Sequence, residues 1–194
     1  MIEAQETIVS EGDLRPNLAV LVSAGAAVAL VSTMSLPWPV AIASTILGAL
    51  MIAGAEVDAR TYLLPDTVTW GGITLGILAA PALNRFEPWL SAGAAVARAA
   101  GTAFAVVLLR WCYARLRGRE GVGFGDVKLA AAVGAWLPLA SIPLCFALAT
   151  CSALVTIMLA RLRGESIDAT TKLPFGAFLC PALWLVFYAV ELPG

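Results

Sequence analysis

Seven apolar stretches run through this chain, at about 18–35, 39–57, 67–83, 89–110, 127–140, 142–160 and 175–191. Six of them are long enough to cross the hydrocarbon core of a bilayer as a helix, which takes about 17–25 residues. Inside lipid each backbone N–H and C=O must be satisfied by the protein itself, so only helices or closed barrels can span. The alternating ten-residue pattern of a barrel strand is absent. The expected fold class is therefore all-α: a polytopic membrane helical bundle of about seven hydrophobic segments. The fifth segment is the exception. At about 21 Å of helix it is shorter than the hydrocarbon core, so it is expected to cross incompletely or to begin below the surface.

Composition agrees, with 60% apolar and 13% charged residues, against roughly half and a quarter in soluble globular chains. Small residues cluster within the segments, as in Ser91-Ala92-Gly93-Ala94-Ala95, and permit close approach of helices. Residues 1–17 carry Glu3, Glu6, Glu11 and Asp13 against Arg15 and are expected to form a flexible acidic tail. Residues 18–194 then make one membrane-embedded domain. A secretory signal peptide would begin with basic residues; that start is lacking, so the first segment is expected to be retained. With the amino terminus cytoplasmic, strict alternation puts ten of the twelve Lys and Arg residues on the cytoplasmic side, leaving Arg85 outside and Arg98 within the fourth segment. This asymmetry follows the positive-inside rule. The basic cluster Arg110 to Arg119 is read as a topology anchor.

Several chemistries are disfavoured. The chain has no histidine, which removes the usual base of a nucleophilic triad and the commonest zinc ligand. Cys112, Cys145, Cys151 and Cys180 form no Cys-x-x-Cys pair, so neither a metal site nor a disulfide framework is expected, and no cofactor. A net charge of −1 offers nothing to nucleic acid; membrane lipid is the expected surrounding partner.

Carboxylates remain. Asp58 ends the second apolar run in Glu56-Val57-Asp58-Ala59-Arg60, and Asp126 follows a glycine-rich bend in Gly121-Val122-Gly123-Phe124-Gly125-Asp126-Val127-Lys128. Both fall on one predicted side of the membrane. Charge at that depth is costly and marks function. Two neighbouring carboxyls share a proton because both cannot ionise cheaply. One then takes a proton from water while the other donates to a peptide carbonyl oxygen. Gly123 and Gly125 are expected to supply positive φ or room for a substrate backbone, and Asp126 to lie near a helix amino terminus. Asp66, after Pro65, reads more readily as a helix cap than as the reacting acid.

Asp58-x-Arg60, Leu64-Pro65-Asp66, Gly123-Phe124-Gly125-Asp126-Val127-Lys128-Leu129, Gly134-Ala135-Trp136 and Leu173-Pro174-Phe175-Gly176 occur here in that order. In this the chain, over roughly residues 36–190, resembles the bacterial type IV prepilin peptidases, within the wider class of membrane Gly-x-Gly-Asp aspartic proteases. The resemblance implies an inner-membrane aspartic endopeptidase that removes the leader from type IV prepilin or pseudopilin precursors, as in pilus assembly and type II secretion, with its site facing the cytoplasm. It implies Asp58 and Asp126 as the catalytic pair. Many members also carry a cytoplasmic domain with two zinc-binding Cys-x-x-Cys pairs, linked to N-methylation of the new amino terminus. That domain is not in this sequence, so cleavage without methylation is expected. Ala177 stands where many members have proline after Phe-Gly.

Lys128 could offset the charge of the pair or contact substrate, or simply snorkel to the interface. Because a basic leader would be repelled by the Arg110–Arg119 cluster, Glu56, Asp66 and Glu120 are the better candidates to contact it. Pro174, Phe175 and Gly176 are further candidate contacts. Arg98 is expected to face the bundle interior or a wet cavity. The Pro-Ala-Leu triplet at 181–183 recurs at 81–83 and is read as coincidence. A small transporter that uses the same carboxylates as an ion relay is the alternative from another class; a catalytically idle assembly factor is a third.

Overall fold

A computed structural model describes residues 16–84, 86–118, 123–163 and 173–192. The described residues form helices only: α1 (Leu18–Ser35), α2 (Trp38–Thr61), α3 (Asp66–Leu83), α4 (Pro88–Arg117), α5 (Phe124–Trp136), α6 (Ile142–Leu162) and α7 (Gly176–Glu191), with a single 3₁₀ turn at Leu139–Ser141 before α6. α1, α2, α4 and the stretch Leu139–Leu162 are each long and apolar enough to cross a membrane. The chain is a multi-pass membrane protein built as a helical bundle. The acidic tail up to residue 15 lies outside the described residues.

The helices outrun the apolar stretches where charge begins. α2 continues past Asp58 to Thr61, and α4 carries its helix into the basic cluster. Both stop at left-handed residues: Tyr62 with φ 56° and Gly118 with φ 64°. The second is the usual glycine ending. Tyr62 takes the same conformation without glycine's freedom and turns the chain sharply from α2 into the Leu63–Pro65 connection.

α5 is the centre of the bundle. It packs against α3 and α4 along its length and touches α7 and α6. Leu129, Ala130, Ala132 and Val133 are fully buried. Such enclosure requires small residues at the crossings. A Cβ placed at Gly134 would collide with the Arg98 carbonyl oxygen and lie 2.6 Å from Thr102 Oγ1, and one at Gly76 would lie 2.8 Å from Ala135 Cβ and the Trp136 ring. Trp136 completes the contact: its indole Nε1–H donates to the Gly72 carbonyl at 2.8 Å, and its ring meets Phe187 edge-on at 5.3 Å.

A second seam joins α1, α2 and α7. Ser32 and Ser44 hydroxyls lie 2.9 Å apart and buried, and Trp184 Nε1–H donates to Ser44 Oγ at 3.1 Å. Above it, Gly48 lets Val28 and Trp184 close over α2. These two seams fix the rotation of α2 and α7, and with it the direction in which their ends at Asp58 and Gly176 point.

Candidate active site

The carboxyl-terminal end of α2 meets the amino-terminal ends of α3, α5 and α7. Asp58, in the last turn of α2, is only 5% exposed. Its Oδ2 accepts the Ala177 N–H at 2.8 Å, and the Gly176 N–H adds a second donor. The opening N–H groups of a helix lack intrahelical acceptors and carry the positive end of its dipole. α7 therefore caps the Asp58 carboxylate with its own unsatisfied donors. Gly176 is required for the approach, because a Cβ there would stand 2.8 Å from Asp58 Oδ2.

Asp126 occupies the first turn of α5, as expected from its place after the glycine bend. α5 is not one of the four long apolar spans. Burial first, and the Asp58 charge second, push the Asp126 carboxyl up to about 6, against the opposing pull of the Gly123 N–H. The two carboxyls thus sense each other although 68 positions separate them in the chain (126 − 58). Cys180, one turn into α7 and completely buried, lies within electrostatic reach of both. Leu64 packs between the two supports: a Cβ on Gly125 would fall 3.2 Å from Leu64 Cβ, and one on Gly176 would fall 3.1 Å from Leu64 Cδ1.

The glycines do not take the positive φ that was one of the two roles expected of them. Gly123 is extended, with φ −72° and ψ 157°, as the residue preceding α5, and Gly125 lies within the helix. Neither adopts positive φ; among the described glycines only Gly118 does. What Gly125 provides is room for the Leu64–Pro65 connection against α5.

Asp66 is not the cap that its position suggested. Pro65 precedes α3, and no side chain caps that end. Asp66 instead forms an ion pair with Lys128, whose ammonium also lies 5.9 Å from the Trp70 ring centroid. This pair straps the start of α3 to the first turn of α5. Lys128 is therefore spent on Asp66 and is not simply snorkelling. Glu56 is also engaged: it pairs with Arg60 at 2.7 Å and accepts the Asn17 backbone N–H at 3.1 Å. Arg110 lies over Phe124 with its guanidinium 4.1 Å from the ring centroid, tying α4 to the residue that opens α5. Glu120 lies outside the described residues. Pro174 and Phe175 are half-buried and lead into Gly176. Ala177, Leu64 and Cys180 are the neighbours of the acids that the sequence reading missed. Leu64 fell within a noted motif and Ala177 was noted only for standing in place of proline, but no pattern shows a backbone N–H aimed at a distant carboxylate. Among the described residues no cluster of His, Cys, Asp or Glu could hold a metal ion.

Residues 45–158 match the Type IV leader peptidase family. Among curated proteins, the chain is 33% identical over 136 residues to a Prepilin leader peptidase/N-methyltransferase of Pseudomonas putida, covering 70% of this chain and 45% of that protein. It is 32% identical over 170 residues to the protein of the same name from Aeromonas hydrophila (85% and 55%). Its identity to that from Burkholderia pseudomallei strain 1026b is 35% over 148 residues (74% and 45%). The chain spans about half the length of the curated relatives it matches. No solved structure matches.

Proposed function

The chain belongs to the type IV leader peptidase family, and from that premise we propose that it is an aspartic endopeptidase acting on prepilin or pseudopilin precursors, with Asp58 and Asp126 as its catalytic pair. The observation that carries the proposal is geometric: a buried Asp58 at the end of α2, held by the amino terminus of α7, and a partly buried Asp126 in the first turn of α5 meet at one end of the bundle.

The chemistry follows from one proton shared by two acids. The ionised carboxylate takes a proton from water as the water oxygen attacks the scissile carbonyl carbon. The protonated partner gives its proton to the carbonyl oxygen, and a neutral gem-diol forms. Collapse of that intermediate breaks the C–N bond, the departing nitrogen is protonated, and the pair returns to its single-proton state. The pair titrates as a unit.

The Lys and Arg distribution supports a site on the cytoplasmic face of the inner membrane, where a basic leader would be presented. The activity proposed for these 194 residues is cleavage alone. Purified protein in detergent, mixed with a pilin-type precursor, provides the test. Asp58→Asn and Asp126→Asn are each expected to lower cleavage by about a thousandfold or more while leaving the helical circular dichroism unchanged. Either variant cutting as fast as the parent would end the proposal. A methylated product amino terminus, sought by mass spectrometry with S-adenosylmethionine present, would overturn the restriction to cleavage.

A further inference from the structure

α5 is about 20 Å long, and its shortness has a second consequence. It starts beside the aspartates and ends at Trp136, while α4 continues well beyond its last turn toward Glu87. A cavity of about 390 Å³ opens over that end, between the carboxyl-terminal turns of α3, α5 and α7 and the first turns of α4. It lies at the opposite end of α5 and α7 from the proposed catalytic pair.

Three charged residues line it: Arg98, Glu87 and Glu191. Arg98 is fixed from below, where its Nε–H donates to the Gly134 carbonyl at 3.2 Å. That carbonyl is among the last of α5 and lacks an intrahelical partner, so the guanidinium caps the negative end of the helix. Arg98 has five N–H donors in a planar fork, and the Nε–H bond uses one. Among the described residues neither Glu87 nor Glu191 forms an ion pair with it, although all three share one cavity. Glu87 immediately precedes α4 and Glu191 ends α7, which puts both carboxylates at the outer rim. Arg98 lies eleven residues further along α4 than Glu87, about 16 Å of helix rise. Its side chain leaves the helix leaning back toward that rim. Positive charge is thus deep and negative charge shallow. Between them the walls are mostly apolar, with Ala80, Leu83 and Leu90, and carry Asn84 and Ser91 as polar members.

We propose that this cavity binds a zwitterion carrying a phosphate and a primary ammonium, with the phosphate on Arg98 and the ammonium on Glu87 and Glu191. Arginine's fork matches phosphate oxygens in bidentate fashion. The depth order is that of an aminophospholipid headgroup, whose phosphate lies nearer the hydrocarbon than its ammonium. The apolar wall suits the chain segment beneath a headgroup. A soluble phosphoethanolamine would present the same two charges, and the experiment separates the two sources.

Native mass spectrometry of the purified full chain, titrated with phosphatidylethanolamine or with phosphatidylglycerol, tests the site. Phosphatidylethanolamine is expected to bind about tenfold more tightly, the contribution of one partly desolvated charge pair. The double substitution Glu87→Gln/Glu191→Gln is expected to erase that preference and leave phosphatidylglycerol binding intact. Arg98→Gln should weaken both lipids; because Arg98 also caps α5, the rim double variant is the control that does not depend on folding of the Arg98 variant. Displacement of phosphatidylethanolamine by millimolar phosphoethanolamine would support the site and make the soluble zwitterion its source, whereas retention of the bound lipid would support the membrane source. Equal affinity for the two lipids, or a preference that survives in the rim double variant, would overturn the proposal.

Discussion

The backbone N–H of Ala177 donates to Asp58 Oδ2 at 2.8 Å, across 119 positions of sequence. It joins the last turn of α2 to the first turn of α7, with a helix amino terminus supplying the donor. Residue 177 can do this only because it is not proline, which has no N–H.

Ala177→Pro therefore isolates the hydrogen bond. Proline is tolerated in the first turn of a helix, so α7 should survive, while Ala177→Gly keeps the donor. A hydrogen bond to a charged group contributes about 1.5–3 kcal/mol, and the proline variant is expected to have a kcat about tenfold below that of the glycine variant. Equal turnover of the two in the precursor assay would mean that the bond plays no part in the reaction.

Gly176→Ala should be more damaging to activity than its size suggests. The added methyl would stand 2.8 Å from Asp58 Oδ2 and 3.1 Å from Leu64 Cδ1, so the carboxylate must move off the α7 donors. A loss of about a hundredfold in cleavage is expected from such a displacement, with a melting temperature lowered by only a few degrees. Cleavage at the parental rate would show that the glycine is not needed for the approach.

Asp126 gives a pH dependence whose sign can be worked out. Its carboxyl is raised to about 6 from about 3.9 in the unfolded chain. Between those values the folded protein holds more protons than the unfolded one, so stability from this group falls as pH rises from about 4 to about 6 and is level above. In the proposed reaction the shared proton is lost over the upper part of that range, so cleavage should decline as pH rises through about 6. Asp58→Asn removes the neighbouring charge and should reduce the stability loss, measured by thermal unfolding across pH. A cleavage rate that is flat from about pH 5 to about pH 8 would contradict the shared-proton mechanism.

Glycines in α4 and α5 should separate packing from propensity. Gly134→Ala collides with the α4 backbone at Arg98, whereas Cβ atoms at Gly93 and Gly101 would meet nothing within 4 Å. Overpacking costs about 1–3 kcal/mol, while alanine in an open helical position contributes up to about 1 kcal/mol of stability. Gly134→Ala is expected to melt earlier than the parent, and Gly93→Ala and Gly101→Ala at the same temperature or later. The reverse order would refute the α4–α5 crossing.

Hydrophobic run lengths determined the helical bundle, because lipid leaves a backbone no other way to satisfy its polar groups. The absence of histidine, and two aspartates at the ends of apolar runs, singled out Asp58 and Asp126 before any coordinates. Run length also exposed the short fifth segment. The roles of the supporting residues depended on contacts between distant helices. Lys128 belongs to Asp66, Gly125 makes room for Leu64, and Arg98 closes α5 through Gly134. Asp58 receives its donor from a backbone, and a backbone N–H has no letter in a sequence. Local chemistry is written along the chain, whereas the partner of each charge is set by helix rotation and crossing, and those are decided only when all the small-residue seams close together.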